Sequence, residues 1–257
     1  SKNHQTLMRF ISFSVLLFLL VSCDMKPGDD LFGGNNKNTK SMDWFGSGED
    51  KPEKKKTRKK EIEIKKDERT LGEKLLAVSV SICTYNQNGE LIPIGSGAFI
   101  NKNQIVTNVH VIEDIPTMVA VRNSDQKQIG VKVFKVDPMH DVAVLKTTSF
   151  TSKEYLNIVT KFPRIGTEVW VAGSPLGQEG TISDGIVSAI RKHKPFDFDQ
   201  IQFTAPISFG SSGGPLVNTE FELIGITVSG IDAYDAQNLN FAVPAKYINH
   251  LLDSENN

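Results

Sequence analysis

From residue 75 onward the chain breaks into short runs rich in Val, Ile, Thr and Phe, each closed by Gly, Asn, Asp or Pro. Runs of this length bounded by turn residues read as β-strands. They fall at 76–85, 92–100, 105–107, 117–122, 129–136 and 142–146, and again at 167–172, 180–190, 201–203, 216–218, 223–228 and 240–243. No helix-period stretch between them is long enough for a βαβ unit, which argues against an alternating α/β fold. Only 244–252 reads as a helix, with Pro244 at its start and Ile248, Leu251 and Leu252 on one face. The residues alone predict an all-β body, sandwich or barrel, with a short C-terminal helix. Residues 147–163 read as a crossing between the two sets of strands.

The first 70 residues have a different texture. The net charge of −1 divides into +4 for residues 1–70 and −5 for residues 71–257. An acidic body argues against nucleic acid as its partner. Residues 10–21, F-I-S-F-S-V-L-L-F-L-L-V, follow Arg9 and precede Ser22. A bilayer span takes about 20 apolar residues, so this shorter run reads as a secretory signal. It ends in L-V-S-C at Cys23, a pattern resembling a bacterial lipobox, which makes Cys23 the expected site of lipidation. The domain plan is then a signal with lipobox over 1–23, a basic disordered tether over 24–70 and the folded body over 71–257. The tether is poor in apolar residues, and its stretch 51–66 holds nine Lys/Arg against three Glu. It reads as a solvated spacer or as a segment lying on an anionic membrane. Residues 61–73 could supply a short helix leading into the body. The second cysteine, Cys83, falls in an alternating run and is expected to be a buried thiol.

The chemistry points to residues 204–218, T-A-P-I-S-F-G-S-S-G-G-P-L-V-N. Glycines there permit turns that a side chain would forbid. Such a turn can expose the Ser212 hydroxyl while backbone N–H groups converge beside it, as a nucleophile with an oxyanion site requires. The bland reading is a Gly/Ser hairpin loop. Upstream, however, lie V-T-N-V-H-V (106–111) and M-H-D-V-A-V-L-K (139–146). Histidine, then aspartate, then serine, each at the edge of an apolar run, is the chain order of one known Ser/His/Asp arrangement. His140, next to Asp141, competes with His110 for the base.

The segments G-S-G-A-F-I, V-T-N-V-H-V, H-D-V-A-V-L-K, G-S-S-G-G-P-L and L-N-F-A-V-P resemble the trypsin-like serine proteases of the HtrA/Deg type, over about residues 71–252. That resemblance implies two six-stranded antiparallel β-barrels, about 71–150 and 164–243, and a helix at 244–252. It implies His110 as general base, Asp141 as its orienting carboxylate and Ser212 as nucleophile. The oxyanion site would come from Gly210 and Ser212, with Ser211 contributing; the family most often has Asn where Ser211 stands. Pro206 and Ile207 would border the specificity pocket, where the absence of charge disfavours a Lys or Arg side chain. Thr227, Val228, Ser229 and Gly230 would pair with extended substrate as an added strand. No cofactor and no metal are expected. Many such proteases carry a PDZ domain after the catalytic body, for which no room is seen here.

Two function classes follow. One is a lipid-anchored endopeptidase of the bacterial cell envelope, acting on unfolded or extended proteins in quality control, with a homo-oligomer (a trimer) implied by the resemblance. The other is a non-catalytic trypsin-like fold serving as a binding or holdase module.

Overall fold

The structure is a computed structural model that describes residues 67–174, 178, 180–192, 197–228 and 239–254. The signal, the lipobox cysteine Cys23 and nearly all of the tether lie outside the described residues, as do Ser229 and Gly230.

The body begins with a helix where the sequence suggested a strand. Helix α1 is Leu71–Val78, and strand β1 starts only at Ser79, running Ser79–Tyr85. A capping box causes the difference. The Thr70 hydroxyl accepts from the Glu73 N–H at 3.2 Å, and the Glu73 carboxylate accepts from the Thr70 N–H at 2.7 Å. These bonds satisfy donors that a helix start leaves bare. The helix then turns Leu75 and Val78 onto one buried face.

Six strands close the first barrel: β1, β2 (Leu91–Asn101), β3 (Gln104–Thr107), β4 (Val119–Arg122), β5 (Gln128–Asp137) and β6 (Val142–Thr147). Their order is β1-β2-β3-β6-β5-β4, closed by antiparallel pairing of β4 with β1. Val80, Ile82, Phe99, Ile105, Ala120, Ile129, Ala143 and Leu145 fill its interior. Between β3 and β4 the chain makes a four-residue helix, α2 (Val109–Ile112).

The second barrel uses β8 (Glu168–Gly173), β9 (Thr181–Lys192), β10 (Asp199–Phe203), β11 (Pro215–Val217), β12 (Glu222–Val228) and β13 (Asn240–Pro244). They run in the order β11-β8-β9-β10-β13-β12, and pairing of β11 with β12 closes the ring. Val169, Val171, Val187, Ile201, Phe203, Leu216 and Ile224 pack inside. In the crossing, β7 (Asn157–Ile158) adds to β12 in parallel, a pairing too short to leave a pattern in the sequence. Helix α3 (Lys246–Asp253) follows β13.

A third apolar cluster welds the barrels together. Ala98, Ile100, Val106 and Val144 of the first barrel meet Ala172, Val217, Leu223, Ile226 and Val243 of the second, with Leu75 and Val78 of α1 and Ile248 and Leu251 of α3. Strands of the seam are therefore buried on both faces, as β2 is from Gly95 to Ile100. Each fully buried Leu or Ile here contributes about 1.5–3 kcal/mol. The site's residues stand at the edge of this seam, so the weld sets their spacing.

Candidate active site

His110 sits in the first turn of α2, just past the end of β3 at Thr107. The first N–H groups of a helix lack internal partners. Here the His110 N–H donates to Asp141 Oδ1 at 3.0 Å, while the ring Nδ1 lies 2.7 Å from Asp141 Oδ2. Both carboxylate oxygens thus hold one residue, by its backbone and by its ring. A carboxylate only accepts, so Nδ1 carries the proton and Nε2 of the neutral ring is left as an acceptor.

Asp141 is brought to that position by a backbone in the left-handed region, φ 56°. Asp tolerates this conformation better than most residues do. Its carbonyl accepts from Asn108 Nδ2 at 2.9 Å, so two residues of V-T-N-V-H-V grip it. The Asp141 side chain is 7% exposed and that of His110 42% exposed. The carboxylate is walled in and the imidazole is partly exposed.

The other histidine of M-H-D-V has a different partner. His140 Nδ1 lies 2.6 Å from Asp137 Oδ2, and its ring stacks on Tyr247 of α3 at 3.8 Å. His140 is a packing residue of the join between the β5–β6 turn and α3.

The loop bearing Ser212 begins with a turn over residues 208–211. Ser211 N–H donates to Ser208 O at 2.9 Å, and Gly210 at the third position has φ 92°. That is a type II turn, which wants glycine there. Ser208 N–H returns a bond to Ser211 Oγ at 3.3 Å. The Ser211 N–H is therefore committed inside the turn, away from the oxyanion role expected of it. Ser211 braces the turn instead, its side chain packed where a Cβ on Gly173 would lie 3.2 Å from its Oγ. Gly213 has φ 82°, and a Cβ on it would fall 2.3 Å from Ser96 O and from Thr107 Oγ1. Only glycine lets the loop press this closely on the first barrel.

Ser212 is buried, and its carbonyl accepts from Ser96 N–H of β2 at 2.7 Å. A Cβ added to Gly95 would meet both Val111 Cγ1, at 2.5 Å, and Ser212 O, at 3.2 Å. The helical turn bearing His110 and the loop bearing Ser212 thus converge on one glycine.

Thr227 does not serve as the sequence suggested. Its N–H donates to Gly214 O, its carbonyl accepts from Gly213 N–H, both at 2.9 Å, and its hydroxyl bonds Ser211 O. With Ala242 on its other side, it has no edge left for a substrate strand. Val228 beyond it pairs with Phe241 and is half-buried. Pro206 is exposed and Ile207 packs partly on the second-barrel core.

Sequence reasoning passed over Ser96, Asn108 and the bracing role of Thr227. All three are fully buried polar residues inside or beside apolar strands. Such residues require partners, and that is the signal that could have singled them out.

Residues 95–226 match the family described as trypsin-like peptidase domain. The chain is 32% identical over 177 residues to proteins named "Serine protease HtrA-like" from Staphylococcus aureus strains USA300 and NCTC 8325 / PS 47, covering 62% of this chain and 23% of each relative. A counterpart from the bovine strain RF122 / ET3-1 is 31% identical over the same length. The chain thus spans about a quarter of the length of these curated relatives. Two closed barrels, a His–Asp pair on one and a glycine-rich serine loop on the other accord with these matches, and the chain belongs to the trypsin-like peptidase family, a family of serine-type endopeptidases.

Proposed function

We propose that this chain hydrolyses peptide bonds in extended protein segments through Ser212, His110 and Asp141. The observation that carries the reading is the two-point grip of Asp141 on His110, with Nδ1 at 2.7 Å and the backbone N–H at 3.0 Å. It fixes the tautomer and aims Nε2 outward. A serine hydroxyl is a poor nucleophile until such a base takes its proton. His110 Nε2 accepts the Ser212 proton as Oγ attacks the scissile carbonyl carbon. The carbonyl π-pair moves onto oxygen, where the N–H groups of Gly210 and Ser212 receive the negative charge. The intermediate collapses, the C–N bond breaks, and His110 returns the proton to the leaving amine. Water, deprotonated by the same imidazole, then attacks the acyl-enzyme. Ser212 leaves with its proton restored, and the carboxylic acid product is released.

Exposed Pro206 and half-buried Ile207 offer no charge to a basic side chain, which supports a preference for small or medium apolar residues before the cleaved bond. The leader and L-V-S-C at Cys23 support an extracytoplasmic protein of the bacterial envelope, lipid-anchored through a basic tether. Unfolded proteins are the proposed substrates, and quality control the proposed role. Self-association into a trimer is part of the same reading.

The test is labelling of the purified chain by a fluorophosphonate probe, run beside hydrolysis of an unfolded casein-type substrate. Labelling and hydrolysis that both vanish in Ser212→Ala support the reading. A wild-type chain that binds unfolded protein but neither labels nor cleaves would replace it with the holdase alternative. Mass spectrometry of the mature N-terminus tests the anchor separately. A terminus other than lipid-modified Cys23 removes that part alone.

A further inference from the structure

The three peptide groups from Gly210 to Gly213 are each held by hydrogen bonds. The 210–211 peptide is held at both ends, with Gly210 O accepting from Ser96 Oγ at 2.7 Å and Ser211 N–H donating to Ser208 O at 2.9 Å. The 212–213 peptide is also held at both ends, with Ser212 O accepting from Ser96 N–H at 2.7 Å and Gly213 N–H donating to Thr227 O at 2.9 Å. A single residue of the first barrel therefore grips two peptides of the second-barrel loop, one with its hydroxyl and one with its main chain. Between them lies the 211–212 peptide, whose carbonyl accepts from Gly214 N–H at 2.9 Å and from the Thr227 hydroxyl, and whose N–H is the proposed Ser212 oxyanion donor. A peptide is planar, so the bonds to its own carbonyl together with the clamps on its neighbours limit where that N–H can point.

The Ser96 hydroxyl is also the end of a buried polar seam. It has one proton, which goes to Gly210 O, and it accepts from Ser174 N–H at 3.0 Å. The Ser174 hydroxyl meets that of Ser81. Ser81 spends its own proton on Asn123 Oδ1 at 2.9 Å, so Ser174 is the donor between the two. Asn123 Nδ2 in turn donates to Ser79 Oγ at 3.0 Å. Ser79, Ser81, Asn123, Ser96 and Ser174 are all buried. The seam runs from β1 across to the end of β8 and back to the nucleophile loop. A satisfied network of this kind rigidifies what it touches, and breaking it leaves buried groups without partners.

We propose that Ser96 is a positioning residue for the oxyanion site, its hydroxyl holding the Gly210 carbonyl so that the Gly210 and Ser212 N–H groups stay aimed at the reacting carbonyl. The proposal rests on the peptidase reading above. Ser96 touches no substrate. Its removal lets the 210–211 peptide rotate and costs transition-state stabilisation while leaving ground-state binding alone. Deleting an oxyanion donor outright costs about 10²–10³ in rate. Loosening one costs less.

The experiment compares the full chain with Ser96→Ala, Ser212→Ala and Ser81→Ala, the last severing the seam at a hydroxyl remote from the loop. Peptide hydrolysis, fluorophosphonate labelling rate and thermal unfolding are measured on each. The expected result is a fall of about 10–100-fold in kcat for Ser96→Ala, with KM within about twofold and labelling slowed in parallel. Ser81→Ala is expected to lower Tm yet keep kcat within about twofold. If Ser96→Ala does not fold, Ser96→Cys carries the same expectation, being close in size and a far weaker donor. Wild-type kcat in the Ser96 variant overturns the proposal. So does an equal kcat loss in Ser81→Ala, which would mean general loosening. A wild-type chain without labelling or hydrolysis sinks the peptidase reading, and this inference with it.

Discussion

Two histidines in this chain are bound to aspartates in nearly the same way. His110 places Nδ1 at 2.7 Å and its N–H at 3.0 Å from Asp141; His140 places them at 2.6 Å and 3.2 Å from Asp137. The surroundings differ. His140 and Asp137 are three residues apart in one turn, and the ring is roofed by Tyr247 and flanked by Phe198 at 5.0 Å. His110 and Asp141 are 31 residues apart and meet across strands β3 and β6. The His140 side chain is 18% exposed against 42% for His110. A His–Asp bond is therefore no mark of a base by itself. What matters is whether the ring stays exposed, as at His110, or is spent on packing, as at His140.

The sharpest way to break this comparison is to delete each ring. His110→Ala and Ser212→Ala are each expected to lower kcat by about four orders of magnitude, leaving only what binding and the oxyanion site provide. His140→Ala is expected to keep kcat within about threefold. A silent His110→Ala beside a dead His140→Ala would reverse the assignment.

A finer cut exchanges the acids. Asp141→Asn keeps the shape but cannot hold the imidazole in the same tautomer, and kcat is expected to fall by about 10²–10⁴ with the fold intact. Asp137→Asn is expected to change kcat by less than about threefold. Equal losses from the two would show that both pairs serve the chemistry.

The packing pair is expected to register in stability. His140→Ala removes a hydrogen bond and a stacked ring, at a cost of about 1–2 kcal/mol in denaturant unfolding. Tyr247→Ala loses part of the same contact, so the double variant should fall short of the sum by about 0.5–1.5 kcal/mol. Strict additivity would mean that the stack contributes nothing.

The smallest effect is the acid response of the helix start. Arg69, by its side-chain and backbone bonds, lowers the Asp67 carboxyl from 3.8 to about 2. Bonds from the Thr70 backbone and hydroxyl hold Glu73 below its ordinary value. A carboxyl lowered on folding stabilises the fold above its unfolded value, and that contribution is lost as pH falls through the folded one. Both groups are exposed at the surface, so the loss is small and for Asp67 falls between about pH 4 and pH 2. Asp67→Asn should flatten the fall of the urea midpoint between about pH 4 and pH 2, and Glu73→Gln should flatten it on the acid side of the ordinary carboxylate range, while activity measured at neutral pH is unchanged. An unaltered acid slope would remove the cap from the account.

Much of the fold could be read directly because its signals are local. Strand edges fell within a few residues of the observed ones, since turn residues mark where a ladder stops. A helix leading into the body was expected over 61–73, whereas α1 is Leu71–Val78; its second half was read as strand, although Thr70 and Glu73 spell a capping box, because its apolar residues lead straight into β1. The sequence named His110, Asp141 and Ser212 as candidates but said less about what their neighbours do. Ser211 and Thr227 were placed in the oxyanion site and the substrate edge, yet both hold the loop. Nothing in the local pattern says where a buried hydroxyl will find its partner.

The sequence by itself determined the all-β class, the order of histidine, aspartate and serine, and the glycines at 210 and 213 on which the serine loop depends. These follow from hydrophobic period, turn chemistry and allowed φ, which act over a few residues. Only the tertiary structure decided that Asp141 turns to His110 and not to its neighbour His140. It also decided that Ser96 of one barrel reaches the Gly210 carbonyl of the other, 114 positions along the chain. Pairings at that distance come from how the barrels close and dock. Burial then makes each buried polar group take the partner that the packing brings within reach.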